Sequence, residues 1–217
     1  MAKQAVRREI TRGAIVGAAA TLFGMKGFAT ATIDEIASAA GVAKGAVYHH
    51  FANKEAIFEA VLQKTSATLS VDILAKVSQS TDVLTMLTRG TEAYFEVCAA
   101  GPIGRIILKD GPAVLGWARW REIDEEHFGR AIPQALAIAM EQGLIEYQPV
   151  GPLSRLLLGA VTEAAAACAA SADPLTTARD HAAAFERLIQ GLRHPTSRRR
   201  LARKLAGSET AAKPNRA

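Results

Sequence analysis

An all-α protein is what this chain predicts, and three observations predict it. Alanine and leucine dominate, while aromatic residues make up only 6% of the sequence. Runs of β-branched residues are short, which leaves little to favour strands. Apolar residues recur at helical spacing in segment after segment, and Gly-Pro pairs at 101–102, 111–112 and 151–152 punctuate them. With 217 residues the chain is long enough for one large or two small domains with a substantial core.

The first helix is expected over 6–25, behind a mobile arm of about six residues. Ile10, Ala14, Ala18 and Leu22 fall four apart, and Ile15, Ala19 and Phe23 form a neighbouring row, giving one wide apolar stripe. Gly24 and Gly27 end the helix, and Phe28 plugs a small three-helix core. Arg7, Arg8 and Arg12 on its early turns suit phosphates and a solvated face equally. Thr32 caps the next helix, with Glu35 three residues on as the second half of a capping box. Ile33, Ile36, Ala37 and Ala40 repeat along that helix until Gly41 breaks it. A short helix then runs over 43–49, held by Val42, Ala46 and Val47. Two short helices joined at a glycine are a helix-turn-helix plan. The second exposes Lys44, Gly45, Tyr48 and His49, residue types that suit a phosphate-lined groove.

Asn53 is the N-cap expected for a long helix over 54–77, with Phe58, Leu62, Leu69 and Ile73 on its apolar row. Lys54 at its start suits a phosphate, helped by the free amides and dipole of the helix end. Further helices are expected over 82–99, 103–110, from Pro112 to about 129, and from Pro133 to about 142, with a loop over 144–150. The last two differ in texture. Residues 153–171 are crowded with glycine and alanine, while Asp173-Pro174 opens a helix to about 190 with Ala178, Ala182, Phe185, Leu188 and Ile189 on one row. The 153–170 stretch is apolar, but Arg155 and Glu163 argue for a packed helix rather than a membrane span. About nine helices result.

Charge divides the chain. Residues 1–64 carry a net +3, residues 65–192 a net −5, and residues 193–217 a net +7. Basic ends on an acidic middle fit a DNA-binding head on a body that a polyanion repels. The tail has too few apolar residues to bury and is expected to be disordered; added DNA affinity and simple solubility are equally open as its role. Cys98 and Cys168 lie in apolar surroundings and read as buried thiols of a reducing cytoplasm. The charged N-terminal residues are followed by no apolar core of the kind a secretion signal needs.

The stretch TLFGMKGFATATIDEIASAAGVAKGAVYHHFANKEAIFEAV from Thr21 onward resembles the DNA-binding domain of TetR-family transcriptional regulators. Leu22-Phe23, Gly27-Phe28, Thr32-Ile33, Ile36-Ala37, Gly41-Val42, Gly45, Tyr48, His50-Phe51, Lys54-Glu55 and Phe58 carry the likeness in register. The resemblance implies a helix-turn-helix domain over 1–52 and a helical ligand-binding and dimerisation domain over 53–192, ahead of the basic tail that composition marks over 193–217. It also implies a homodimer built through the helices at 153–171 and 174–190, a palindromic double-stranded DNA operator, and release of that operator by a small molecule. Thr32, Lys44, Gly45, Tyr48, His49 and Lys54 are the DNA contacts it points to, with Lys44 suited to guanine O6/N7. Ala43 stands where many members have a serine, so a helix cap and a hydroxyl are missing. A ligand pocket drawn from Tyr94, Phe95, Trp117, Trp120, Asp124, His127 and Phe128 is the expectation for the body, with Arg119 or Arg121 as further anchors. Core packing is the competing role for each of these aromatics. No cofactor, metal site or enzymatic activity is expected. His49-His50 and Glu125-Glu126-His127 have neither metal-ligand spacing nor a nucleophile beside them, and no glycine-rich phosphate loop is present.

Overall fold

The computed structural model describes residues 2–80, 82–99 and 101–193. Caps and prolines set most of its boundaries. Helix α1 spans Ala2–Lys26, so the arm expected over the first six residues is helical from Ala2. Thr32 and Glu35 form the capping box that starts α2, Ile33–Ala39. Helix α3, Lys44–His50, follows with no side-chain cap at Ala43. Asn53 Oδ1 accepts from the Ala56 N–H at 2.8 Å and opens α4, Lys54–Val77. The body continues with α5, Val83–Ala99, and then α6, where Pro102–Gly104 runs into a π-helical stretch Arg105–Asp110. Helix α7 covers Gly111–His127, α8 Ala131–Glu141, α9 Val150–Ala170 and α10 Pro174–Leu192.

The head packs around Phe23, Phe28 and Phe58, whose ring centroids lie 5.3–5.6 Å apart. Phe58 belongs to α4, so the head core closes on a residue of the long helix. Helix α4 packs against α1 at one end and against α5 and α7 further on, which ties head to body. Helix α5 is the centre of the body, flanked by α8, α9 and α10. Cys98 and Cys168 are free and buried in that core.

Several expectations need correction. The stripe on α1 is narrower than its spacing suggested: Ile15, Val16, Ala19 and Phe23 are buried, whereas Ile10 is 68% exposed and Ala14 is exposed. The head is too short to cover the first turns of a helix this long. Helix α7 is not continuous, because Gly116 takes φ 75° and ψ 157° and breaks it. Arg193, assigned to the basic tail, is part of the body. It is 4% exposed, its guanidinium pairs with Asp82, and its backbone bridges to Ile145. Residues 194–217, the remainder of that tail, lie outside the described residues. Leu188, placed on the apolar row of α10, is 47% exposed.

Candidate nucleic-acid interface and ligand site

Helix α2 ends in a Schellman turn. Gly41 takes φ 67°, the Gly41 N–H donates to Ser38, and the Val42 N–H donates back to the Ala37 carbonyl at 3.0 Å. This turn aims α3. Ile36 and Val47 are fully buried and Ala37 is 4% exposed, so the two helices meet closely on one side of each. The other side of α3 is open: Lys44, Gly45 and His49 are exposed, and Tyr48 is 50% exposed. Nothing lies within 4 Å of where a Gly45 Cβ would sit.

Beyond the Thr32–Glu35 capping box, the polar partners at this surface were not legible from spacing. Lys44 Nζ donates to Asp34 at 3.0 Å, an exposed pair that raises the lysine pKa. Glu35 is held to about 2, first by Lys26 and then by the Thr32 hydroxyl and N–H. The Thr32 hydroxyl is correspondingly occupied, accepting from the Glu35 N–H at 3.3 Å and donating to its carboxylate at 2.8 Å. Lys54 points inward. Its Nζ donates to the carbonyls of Phe28 and Ala31, both at 3.0 Å, and sits 4.3 Å from the Phe28 ring centroid. It pins the start of α4 to the α1–α2 loop, and one proton remains for any anion. Arg12 lies over the Phe51 ring at 5.3 Å, and burial, with His49, Arg8 and Arg12 nearby, lowers the His50 pKa. The basic end of α1 therefore flanks the end of α3.

In the body, the residues expected to form a pocket separate. Tyr94, Asp124 and Phe128 form one group, with the Tyr94 and Phe128 rings packed 5.3 Å apart and Asp124 close to Tyr94, while Phe95 turns its ring to His181 of α10 and His127 ends α7 with a buried Nε2. Asp124 is 5% exposed, and burial pushes its carboxyl up to about 6, against the pull of Arg121. Trp117 is not among them. It is 61% exposed, beyond the Gly116 break, beneath the Arg121 guanidinium. Trp120 is buried, and its indole N–H donates to the Ile107 carbonyl at 2.7 Å, which ties α7 to the π-helical part of α6. Arg119 reaches Glu59 of α4 at 2.6 Å and Glu122 at 2.6 Å, so it links helices rather than lining a pocket. An open groove of about 680 Å³ runs between α1, α4 and α6, past Met25, Leu69, Ile73, Ile103 and Ile106, and none of the seven residues lines it.

Two contacts across the head–body junction also escaped sequence reasoning. The Phe28 N–H donates to Asp110 at 2.8 Å, and Arg105 donates to the Met25 carbonyl at 3.1 Å. Both partners sit on α6, some eighty positions away, and only the π-helical turn, a feature common at functional sites, marks them.

A two-helix reader fastened to a larger helical body through one shared helix defines the class: a helix-turn-helix transcriptional regulator. The family described as "Bacterial regulatory proteins, tetR family" matches residues 15–61, and "Tetracyclin repressor-like, C-terminal domain" matches residues 84–192. The chain belongs to the TetR family, whose members are transcriptional regulators and not enzymes. A TetR-family regulator from Pectobacterium atrosepticum is 26% identical, with 87% of this chain and 96% of that one aligned at a TM-score of 0.76. The HTH-type transcriptional regulator TtgR of Pseudomonas putida is 42% identical over 115 residues, 53% of this chain and 48% of TtgR. The A-factor receptor protein of Streptomyces griseus is 46% identical over 72 residues, 33% of this chain and 26% of the receptor. The chain thus spans between a quarter and a half of the length of these two curated relatives. RolR, solved with resorcinol, shares the fold at 18% identity and a TM-score of 0.68 over 85% of this chain and 89% of RolR.

Proposed function

We propose that this protein is a homodimeric repressor in the cytoplasm that binds a palindromic DNA operator through α3 and releases it when a small molecule enters the body. The observation that carries the reading is the two-sidedness of α3. Val47 is fully buried while Lys44, Gly45, Tyr48 and His49 face outward, as a helix laid in a major groove requires. Lys44 is the candidate for guanine O6/N7 and must exchange Asp34 for the base. That exchange is cheap, since solvent screens an exposed ion pair. Tyr48 and His49 contact phosphate or base edges. Thr32 and Lys54 position the reader, and their engagement within the head favours an indirect role in DNA binding. The domains divide as 1–52 for the reader and 53–192 for the body.

Dimerisation is assigned to α9 and α10. Leu156, Gly159, Ala160 and Glu163 share one exposed face of α9, and Leu188 and Ala184 lie exposed on α10. Small residues there allow close approach of a two-fold mate. Helix α9 is long and apolar enough to cross a membrane, yet it packs against α5, α8 and α10. An exposed apolar face on a packed helix is what a subunit interface needs.

A gel-shift titration on operator fragments selected from the source genome tests the reading. Affinity should fall steeply with salt, and Lys44→Ala and Tyr48→Ala should each weaken it about tenfold or more. Unchanged binding by both variants would place the reading face elsewhere.

A further inference from the structure

The groove between α1, α4 and α6 has the size and lining of a site for an elongated molecule. At about 680 Å³ it falls in the range of about 300–1,000 Å³ that small-molecule sites take. Its floor is apolar and closed to solvent: Val61 is fully buried, and Leu69 and Ile106 are nearly so. Half-buried Ile73, Val97 and Ile103 extend it. The α4 wall from Val61 to Lys76 runs roughly 22 Å, at about 1.5 Å per residue. Polar groups of α4 lie along one edge. Lys64, Thr68, Asp72 and Lys76 repeat four apart, so they share a face of the helix, and all four are exposed. Among the described residues neither lysine makes an ion pair. Asp72 is the one carboxylate among the described lining residues. It stands one turn from Lys76 and offsets that charge, but two turns from Lys64. The opposite wall does not answer Lys64 either, since α1 holds no Asp or Glu from Ile10 to Lys26.

We propose that this groove binds an amphipathic carboxylate, its acyl chain lying along Val61, Leu69, Ile73, Ile103 and Ile106 and its headgroup at Lys64 and the Thr68 hydroxyl. The proposal rests on the reading of the protein as a regulator released by a small molecule, and specifies where that molecule sits and its chemical class. Charge selects among the alternatives. A hydrocarbon fills the floor and leaves Lys64 unanswered. A cationic amphiphile meets two lysines against one carboxylate. A carboxylate pairs with the unpaired ammonium, and hydrogen bonds between ionised groups are the stronger kind. Position makes the occupant consequential for the head. Met25 of α1 lines the groove, and its carbonyl accepts from Arg105, which stands between Ile103 and Ile106 on α6. Pro102, also in the lining, packs so closely on Gly24 that a Cβ added there would lie 2.5 Å from the proline Cβ. Helices α1 and α6 have no slack where they meet, so a chain seated beside them bears on the contact that fixes head to body.

Calorimetric titration of the full chain near neutral pH tests this with three matched probes, decanoate, 1-decanol and decylamine, each kept below the concentration at which it aggregates. Decanoate is expected to bind as a single equivalent, about tenfold more tightly than decanol, with decylamine weakest. Lys64→Met keeps the apolar stem and removes the charge, so it should bring decanoate down to the affinity of decanol and leave decanol unchanged. Lys76→Met should matter less, because Asp72 already offsets that lysine. Ile103→Trp narrows the groove and should weaken decanoate and decanol alike. Melting curves check that the variants fold. A decanoate preference that survives Lys64→Met or is lost through Lys76→Met instead, binding that survives Ile103→Trp, tighter binding of decanol or decylamine, or no binding of decanoate to the parent chain each overturns the proposal. Gel shift on operator fragments, run with decanoate and with a chemically diverse set of compounds, keeps the two readings apart. Release by other compounds while decanoate fails to bind refutes the groove and keeps the ligand-released regulator. Decanoate binding with no release by any compound keeps the groove and refutes the release reading.

Discussion

Asp124 shows how one residue can oppose stability. Its carboxyl stands at about 6 against an ordinary 3.8, because burial disfavours the charged form. The sign follows from proton binding. Between pH 4 and 6 the unfolded chain loses this proton before the folded one does, so the stability contributed here falls as pH rises. Above about 6 the penalty is complete, at most about 3 kcal/mol. Asp124→Asn should therefore be more stable than the parent by roughly 1–3 kcal/mol at pH 8 and equal to it at pH 4, compared by urea midpoints. Equal midpoints at pH 8 would mean the carboxylate already has a partner. Lys44 and Lys54 show the converse point: two lysines similar in sequence terms end up with opposite duties. Lys44 is tethered on an open face, while Lys54 spends two of its protons on loop carbonyls.

At the scale of elements, α6 adds a second tie between the halves beside α4. A Cβ on Gly104 would sit 1.9 Å from the Cys98 carbonyl oxygen, and that oxygen is backbone. Gly104→Ala should destabilise the protein by about 1–3 kcal/mol or more, read from thermal or urea unfolding, since α5 and α6 must separate to admit it. Asp110 closes the other side of the same element. Asp110→Ala should leave the body folded but speed amide exchange around Phe28 about tenfold, because the Phe28 N–H loses its acceptor. Unchanged exchange there would remove Asp110 from the link between body and head. Elements were the most legible scale in the sequence. Thr32 with Glu35, Asn53, and Asp173 before Pro174 announced α2, α4 and α10, because capping is a local contest for the free amides of one turn. The π-helical turn and the Gly116 break were not legible, since each depends on what packs against the helix.

For the whole molecule, the charge division and the exposed face of α9 make linked demands. A dimer would set the two readers at a fixed separation, for half-sites about 34–36 Å apart. Leu156→Glu should shift the protein from dimer to monomer in light scattering and weaken operator binding with it. A dimer that withstands this change would move the interface off α9. The acidic middle of the chain, net −5, opposes non-specific contact with DNA and leaves the head, net +3, as the favoured approach among the described parts.

Sequence alone determined the helical class, the reader, the start of most helices and the burial of both cysteines. These follow from periodicity, caps and composition, which act within a few residues. Tertiary structure decided which apolar residues the core could reach, leaving Ile10 and Trp117 outside. It also turned Lys54 inward, drew Arg193 into the body, buried Asp124 near Tyr94, and set Arg105 and Asp110 against the head. Burial and charge pairing between distant residues depend on how the helices pack, and no spacing along the chain records that.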